Sequence, residues 1–309
     1  MKSIGNWILC LLLPVGVFAQ QDPQFSFNND YNSFVNPAFV VNDYKLNVTA
    51  WHRQQWVGFD GAPVVTLVNA SYFVEKAKSG FGISLLSDQL GAQYNGTALL
   101  NYAFDGRIGE HHLIPGIQLG INMNTLNGSE LDPIQQGDPN LVSSATEAMA
   151  FDLGLGLAYR WQGLCLAFSA KHLTGSTLKF SDGDNTSTNT IARHYYFYTS
   201  YEAKIGQHLR MKPITLVKTD AASTQFDVQL WFGARNLTKV FDGPSLAVGY
   251  RIDDAVSVAA EFKFKWFTLG YAYDITTSRL RDYSDGSHEG FLRVHFFQVP
   301  ETPKPVGAE

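Results

Sequence analysis

Charge is scarce in this chain. Only 17% of the 309 residues are Asp, Glu, Lys or Arg, against about 25% in ordinary soluble domains. The net charge is −5 and no block of Lys or Arg occurs, so a nucleic-acid surface is not expected. Cysteine is almost absent: Cys10 lies in an N-terminal apolar run and Cys165 stands alone in the remainder. That leaves no internal disulfide once the run is removed, and Cys165 reads as a small apolar strand residue. Leu9 precedes Cys10, which argues against a lipoprotein site. After the N-terminal run no stretch is long and apolar enough for a transmembrane helix, so an integral protein of this kind would have to cross as a barrel. There is no Gly-x-Ser-x-Gly elbow and no phosphate-cradling glycine-rich loop. Helical periodicity is nearly missing from the whole mature chain.

What is present is aromatic and alternating. Aromatics make up 14% of the chain. "MKSIGNWILCLLLPVGVFAQ" reads as a secretory signal over residues 1–19, cut after Ala19. In "AFDLGLGLAYRW" the residues Phe151, Leu153, Leu155, Leu157, Tyr159 and Trp161 fall on one parity, with Asp152, Gly154, Gly156, Ala158 and Arg160 on the other. The same alternation recurs over Tyr44–Arg53, Val64–Val74, Gly80–Leu90, Gln93–Asp105, Leu113–Leu126 and Ala148–Trp161. It continues over Gly163–Leu173, Arg193–Lys204, Leu209–Lys218, Thr224–Arg235, Ser245–Asp253, Ala255–Lys265, Trp266–Ile275 and Glu289–Gln298. Such segments have the length of membrane-crossing strands, about 9–11 residues, rather than the roughly 5–6 of soluble ones. Short and long connections alternate, as in outer-membrane barrels. Tyr44, Tyr72, Phe104, Tyr159, Trp161, Tyr250 and Trp266 sit near segment ends like an interfacial girdle.

The expected fold is therefore all-β, a transmembrane outer-membrane barrel of about 14 antiparallel strands, or 12 if the segments at Leu209 and Ser245 fail. Residues 20–43 are expected as a periplasmic N-terminal segment, 44–298 as the barrel and 299–309 as a flexible periplasmic tail. An even strand count puts both termini in the periplasm. The bulky parity is expected to face lipid and the small or charged parity the lumen, where the glycines leave room for inserted residues.

Ordered motifs then resemble one family. "QQDPQFSFNNDYNSFVNPAFV" with Asn36, Pro37 and Ala38, "RQQWVGFDGAP" from Arg53, "GFGISLLSDQLG", "KHLTG", "RHYYFYTSYEAKI", "LVKTD" and "GYAYDITTSRLRDYSDGSHEGFLRVHF" are similar to the PorP/SprF outer-membrane proteins of the type IX secretion system of Bacteroidetes. The chain departs at "VNPAFVV", which lacks the glycine often found after the aromatic. The resemblance implies an integral outer-membrane protein that supports secretion, attachment or display of a gliding adhesin with a C-terminal sorting domain. It also implies partners among the periplasmic and outer-membrane parts of that machine, no enzyme activity and no cofactor.

Candidate residues fall in three groups. Arg53, Trp56, Gly58, Asp60, Gly61 and Pro63 form a loop that either plugs the lumen or touches a partner, with Arg53 pairing Asp60; the other reading is a plain turn. Arg193 and His194, with Lys218, Asp227 and Glu202, are candidates for a polar lumen network. Asp274, Ser278, Arg281, Asp282, Tyr283, His288, Glu289 and Arg293 belong to the final hairpin, which reads as a charged outer loop; a hydrolase would need a nucleophile and base in reach. The histidines lie on distant segments with no two-residue spacing, so no metal is expected. "DGDNTS" from Asp182 lacks the closing Glu of a calcium loop and reads as a polar outer loop. The alternative function is a passive porin or small-solute channel; a lipase-like enzyme is a third class.

Overall fold

The computed structural model describes residues 22–298 apart from 30–31, 132–137, 139–140, 184 and 221. The expected signal peptide over 1–19 and tail over 299–309 lie outside the described residues. Eighteen strands occur among those described: β1 (Tyr44–Gln54), β2 (Val64–Val74), β3 (Ser79–Leu90), β4 (Gln93–Phe104), β5 (Gly106–Ile108), β6 (His111–Asn127), β7 (Ala145–Trp161), β8 (Leu164–Lys171), β9 (Thr177–Asp182), β10 (Asn185–Thr190), β11 (His194–Tyr201), β12 (Ala203–Ile205), β13 (Leu209–Thr219), β14 (Thr224–Ala234), β15 (Phe241–Arg251), β16 (Ala255–Phe264), β17 (Phe267–Thr276) and β18 (Ser287–Gln298). All but β5, β9, β10 and β12 form a closed 14-strand antiparallel barrel, sealed where β18 pairs β1. Closure leaves the ladder without an edge, so every strand finds its backbone partners within the wall. The segments at Leu209 and Ser245 are both strands of the barrel, β13 and β15.

The parity expected from the sequence holds. Phe151 is 79% exposed and Leu246 62% on the outer surface, whereas Asp152 is buried in the lumen. Of the girdle residues, Tyr72, Phe104, Trp161, Tyr250 and Trp266 stand exposed near strand ends. The described residues of the "DGDNTS" stretch lie in a two-stranded hairpin, β9–β10, whose β9 packs against β7. Asp182 accepts there from Ser143 Oγ at 2.8 Å and from the Ser144 N–H at 3.0 Å, which ties two loops together.

Tyr44 and Gln298 are paired at the end of the barrel that carries the short turns, and Lys45 meets Glu75 of the β2–β3 turn there. Asp22 lies at the opposite end, beside His172 and His194, which flank the long β8–β11 loop. The described residues of 22–41 thus run down the inside of the barrel. The sequence reading expects a periplasmic segment over 20–43; its described residues lie in the lumen, with Asp22 at the end of the barrel opposite Tyr44. A run with Phe25, Phe27, Phe34 and Phe39 has too much apolar surface to lie in water. The lumen covers all four of these rings, each at 8% exposure or less.

Candidate functional site

The N-terminal segment is fastened along its length. Phe27 packs edge-on to Phe291 at 4.6 Å between centroids and tilts against Trp231 at 5.9 Å. Phe39 meets Tyr198 at 5.6 Å. Fully burying one such ring is worth about 1.5–3 kcal/mol. Polar groups of the wall satisfy the segment's backbone, which a buried irregular chain requires. Gln229 Nε2 donates to the Ser26 carbonyl at 2.6 Å, Lys212 Nζ to that of Asn29 at 3.0 Å and Ser169 Oγ to that of Val35 at 2.7 Å. Asn69 Nδ2 donates to Asn32 Oδ1 at 2.7 Å.

Asn36 and Pro37 begin a short 3-10 turn over Pro37–Val40. Asn36 caps it by accepting from the Ala38 N–H at 2.9 Å, and Asn36 Nδ2 donates to the Phe168 carbonyl on β8 at 3.0 Å. Gly156 and Gly116, neighbours in register on β7 and β6, make the space. A Cβ at Gly156 would collide with Asn36 Oδ1, and one at Gly116 would sit 2.7 Å from the Ala38 nitrogen. The inward glycines do leave room for inserted residues, and the inserted residues are these.

A charged cluster seats the middle of the segment. Arg53 of β1, 1% exposed, donates to Asp274 of β17 at 2.8 Å, to Glu289 of β18 at 3.1 Å and to Ser26 Oγ at 2.8 Å. Ser26 Oγ donates in turn to Asp274, and the N–H groups of Ser26 and Phe27 donate to Glu289 at 2.6 and 3.2 Å. Arg251 of β15 extends the cluster to Asp274 at 3.2 Å, Asp227 at 3.3 Å and Asp254 at 3.0 Å. Buried charges persist only when paired and hydrogen-bonded in this way.

A second cluster surrounds Asp22. Lys171 Nζ lies 2.8 Å from Asp22 Oδ2, Tyr196 Oη donates to the same oxygen at 2.6 Å, and His172 Nε2 lies 2.8 Å from Asp22 Oδ1. Lys218 Nζ donates to the Asp22 carbonyl at 3.0 Å. Burial opposes the charge on Asp22, but Lys171, His172 and His194 hold its carboxyl well below the usual range. Burial likewise opposes charge on His172, yet the Asp22 carboxylate and contact with Asp152 raise it to about 9.

Several expectations are corrected. Arg53 does not pair Asp60; it turns inward to Asp274 and Glu289, and Asp60 is exposed at the rim. The loop of Trp56, Gly58, Gly61 and Pro63 is not the plug. Val57 N–H donates to the Gly286 carbonyl at 2.8 Å and Gly91 N–H to that of Gly61 at 3.0 Å, so the loop leans over its neighbours at the mouth. His194 and Lys218 do share a network, through Asp22, but Asp227 belongs to the Arg251 cluster. Arg193 is exposed, donating to the Leu173 carbonyl at 3.3 Å, and Glu202 lies at the short-turn end. Asp274 and Glu289 belong to the lumen rather than to an outer loop. His288 Nδ1 contacts the Tyr271 hydroxyl, Ser278 caps the turn at Leu280, Arg281 pairs exposed Asp282, Tyr283 is exposed, and Arg293 donates to Thr49 Oγ1 at 3.2 Å. His172 and His194, expected to be distant, have ring centroids 5.6 Å apart.

Asp22, Ser26, Lys171, Gln229 and Arg251 were not singled out by sequence. Arg251 carried the one available signal, a charge on the inward parity of its strand.

Cavities remain at both ends of the lumen. One of about 320 Å³ adjoins Asp22, His172 and His194, and one of about 620 Å³ lies at the short-turn end, lined by Lys204, Arg210, Lys263 and Lys265 among others.

No curated protein matches the chain. Among solved structures it is similar to a Pseudomonas aeruginosa FadL homologue (10% identity, 85% of this chain and 93% of that one, TM-score 0.47). It is also similar to the Acinetobacter baumannii outer membrane protein Omp33 (6% identity, 82% and 98%, TM-score 0.47). A third is the Ralstonia pickettii toluene transporter TbuX (9% identity, 85% and 92%, TM-score 0.46). The model of the type IX secretion system membrane protein family PorP/SprF matches residues 17–294, nearly the whole of a chain that closes into an outer-membrane-type barrel. The chain therefore belongs to the PorP/SprF family of type IX secretion system membrane proteins.

Proposed function

We propose that this protein is a non-enzymatic outer-membrane platform of type IX secretion, supporting the secretion, anchoring or surface display of a partner such as a gliding adhesin with a C-terminal sorting domain. The observation that carries this reading is the filled lumen. Phe25, Phe27, Phe34 and Phe39 pack across the bore, and Ser26, Asn29, Asn32 and Val35 are hydrogen-bonded to its wall, whereas a porin needs an open polar channel. The short turns face the periplasm, as they do in bacterial outer-membrane barrels, and the long loops and the β9–β10 hairpin face outward. In that orientation the short-turn rim is the surface offered to periplasmic parts of the secretion machine, and the exposed parity of each strand is solvated by lipid. Membership of the family supports partnership with other secretion components.

Deleting the gene tests the reading directly. One or more surface proteins with a C-terminal sorting domain should then accumulate inside the cell, and re-expression should restore them to the surface. An unchanged surface proteome would sink the proposal. Affinity purification from gently solubilised outer membranes should recover secretion components together with an exported partner; recovery of general porins alone counts against it.

A further inference from the structure

We infer that Asp22, His172 and His194 form a binding site for a divalent transition metal, zinc by its donor set, which clasps the N-terminal segment to the barrel wall. Their ligand atoms all lie within 4.8 Å of one another. The inference is independent of the secretion reading.

Each imidazole is already turned to present the correct nitrogen. His194 opens β11, and its Nδ1 can only donate to the Ala192 carbonyl, 3.1 Å away. That fixes the tautomer and makes Nε2 an acceptor, which takes the Asp22 N–H at 3.3 Å, a long hydrogen bond that an entering ion would replace. His172 follows the last residue of β8, and its Nδ1 sits 2.7 Å from Asp152 Oδ2, a close ion contact rather than an aligned hydrogen bond. Its Nε2 then faces Asp22 Oδ1 at 2.8 Å. A carboxylate behind one ring and a carbonyl behind the other are the outer partners that metal-ligating histidines keep.

The backbone supports the same arrangement. Lys171 and His194 are direct partners in the β8–β11 ladder, so the residue after Lys171 is brought close to His194. His172 adopts a left-handed φ of +55°, a conformation that costs a non-glycine residue on the order of 1–3 kcal/mol and persists where surroundings enforce it.

The spacing suits a small ion. Tetrahedral zinc with bonds of about 2.0–2.1 Å places its ligand atoms roughly 3.3 Å apart. Separations between 2.8 and 4.8 Å reach that geometry with shifts of an ångström or so. Water ligands have room in the adjoining cavity of about 320 Å³, which Asp22, His172 and His194 line with Asn122 and Asn189. Two imidazoles and a carboxylate favour zinc over calcium or magnesium, which take all-oxygen sites. Lys171 occupies the other oxygen of Asp22 and sits 3.5 Å over the Phe34 ring. Its charge opposes a cation, and the entering ion displaces the proton held between His172 and Asp22.

Isothermal titration of zinc chloride into the full chain in detergent, after stripping with a chelator, tests the site. The native protein should take up one equivalent of Zn²⁺ and no Ca²⁺. The double variant His172→Ala/His194→Ala should lose that equivalent. Asp152→Asn should keep it with affinity lowered roughly 10–100-fold, the usual effect of removing an outer partner. Lys171→Met should bind more tightly, because a repelling cation is gone. Folding of each variant is verified by the heat-sensitive shift of the barrel on unheated gels, with the His172→Gln/His194→Gln variant replacing the alanine variant if that one does not fold. Absence of uptake by the native protein, or uptake unchanged in the double variant, overturns the inference. So does weaker binding by Lys171→Met.

Discussion

Replacing Arg53 by alanine should release the N-terminal segment while leaving the barrel intact. The guanidinium donates to Asp274, Glu289 and Ser26 Oγ at 2.8, 3.1 and 2.8 Å, and losing one member of a buried ion pair costs about 3–5 kcal/mol. The low end applies here. Arg251 still reaches Asp274 at 3.2 Å, and the N–H groups of Ser26 and Phe27 still donate to Glu289. A loss of about 3 kcal/mol raises the population of the undocked segment roughly a hundredfold. The strand ladder keeps all of its backbone hydrogen bonds, so the loss falls on the docking of residues 25–27. Hydrogen exchange of the detergent-solubilised protein, read by mass spectrometry, measures this. Peptides over 22–29 should exchange up to about a hundredfold faster than in the native protein, with β2 and β3 unchanged. Equal exchange over 22–29 in the two proteins, or uniform acceleration through the barrel, would refute the reasoning.

Other perturbations probe other parts of the molecule. Gly156→Ala should strain the Asn36–Pro37 turn by about 1–3 kcal/mol, the usual cost of overpacking, and lower the temperature at which the folded band converts on gels; an unchanged temperature would mean the turn is not seated there. Leu246→Arg, near the middle of β15, should lower stability in lipid vesicles by about 2–4 kcal/mol, read from urea unfolding, whereas a loss near zero would contradict a lipid-facing parity. At the short-turn end, burial opposes the charge on Asp105, but His112 and Arg107 outweigh it and hold its carboxyl below 3.8. A depressed carboxylate contributes stability above its unfolded pKa and loses it as pH falls through the folded one. The advantage of the native protein over Asp105→Asn in urea midpoint should thus be full at pH 7 and shrink below about pH 4; a gap that widened on acidification would reverse the sign.

The wall was legible in the sequence and the filling was not. Alternation over Val64–Val74 or Phe267–Ile275 reports which face a strand turns outward, because side chains alternate with period two. The glycines at 154 and 156 on the inward parity announced an insertion. The sequence pointed to the Arg53–Pro63 loop as the inserted piece, since its glycines and proline mark an unusual turn. Yet that loop carries few apolar side chains in need of cover, whereas residues 25–39 carry four phenylalanines without strand alternation. Arg53, Asp274 and Glu289 were each noticed, but in separate groups. Their meeting depends on β1, β18 and β17 being ring neighbours, a consequence of closure that no local pattern encodes. His172 and His194 were read as distant because 22 positions separate them. They converge because they flank one long loop between paired strands, and cross-strand pairing rather than two-residue spacing was the relevant geometry. Asp22 is fixed by contacts more than a hundred residues away, which sequence periodicity does not register.

The plugged bore is tested most directly by single-channel recording of the intact protein in planar bilayers. Phe25, Phe27, Phe34 and Phe39 buried in the lumen predict no steady conductance above the leak of the bilayer, at either polarity. A large, stable open channel from the folded native chain would contradict the account.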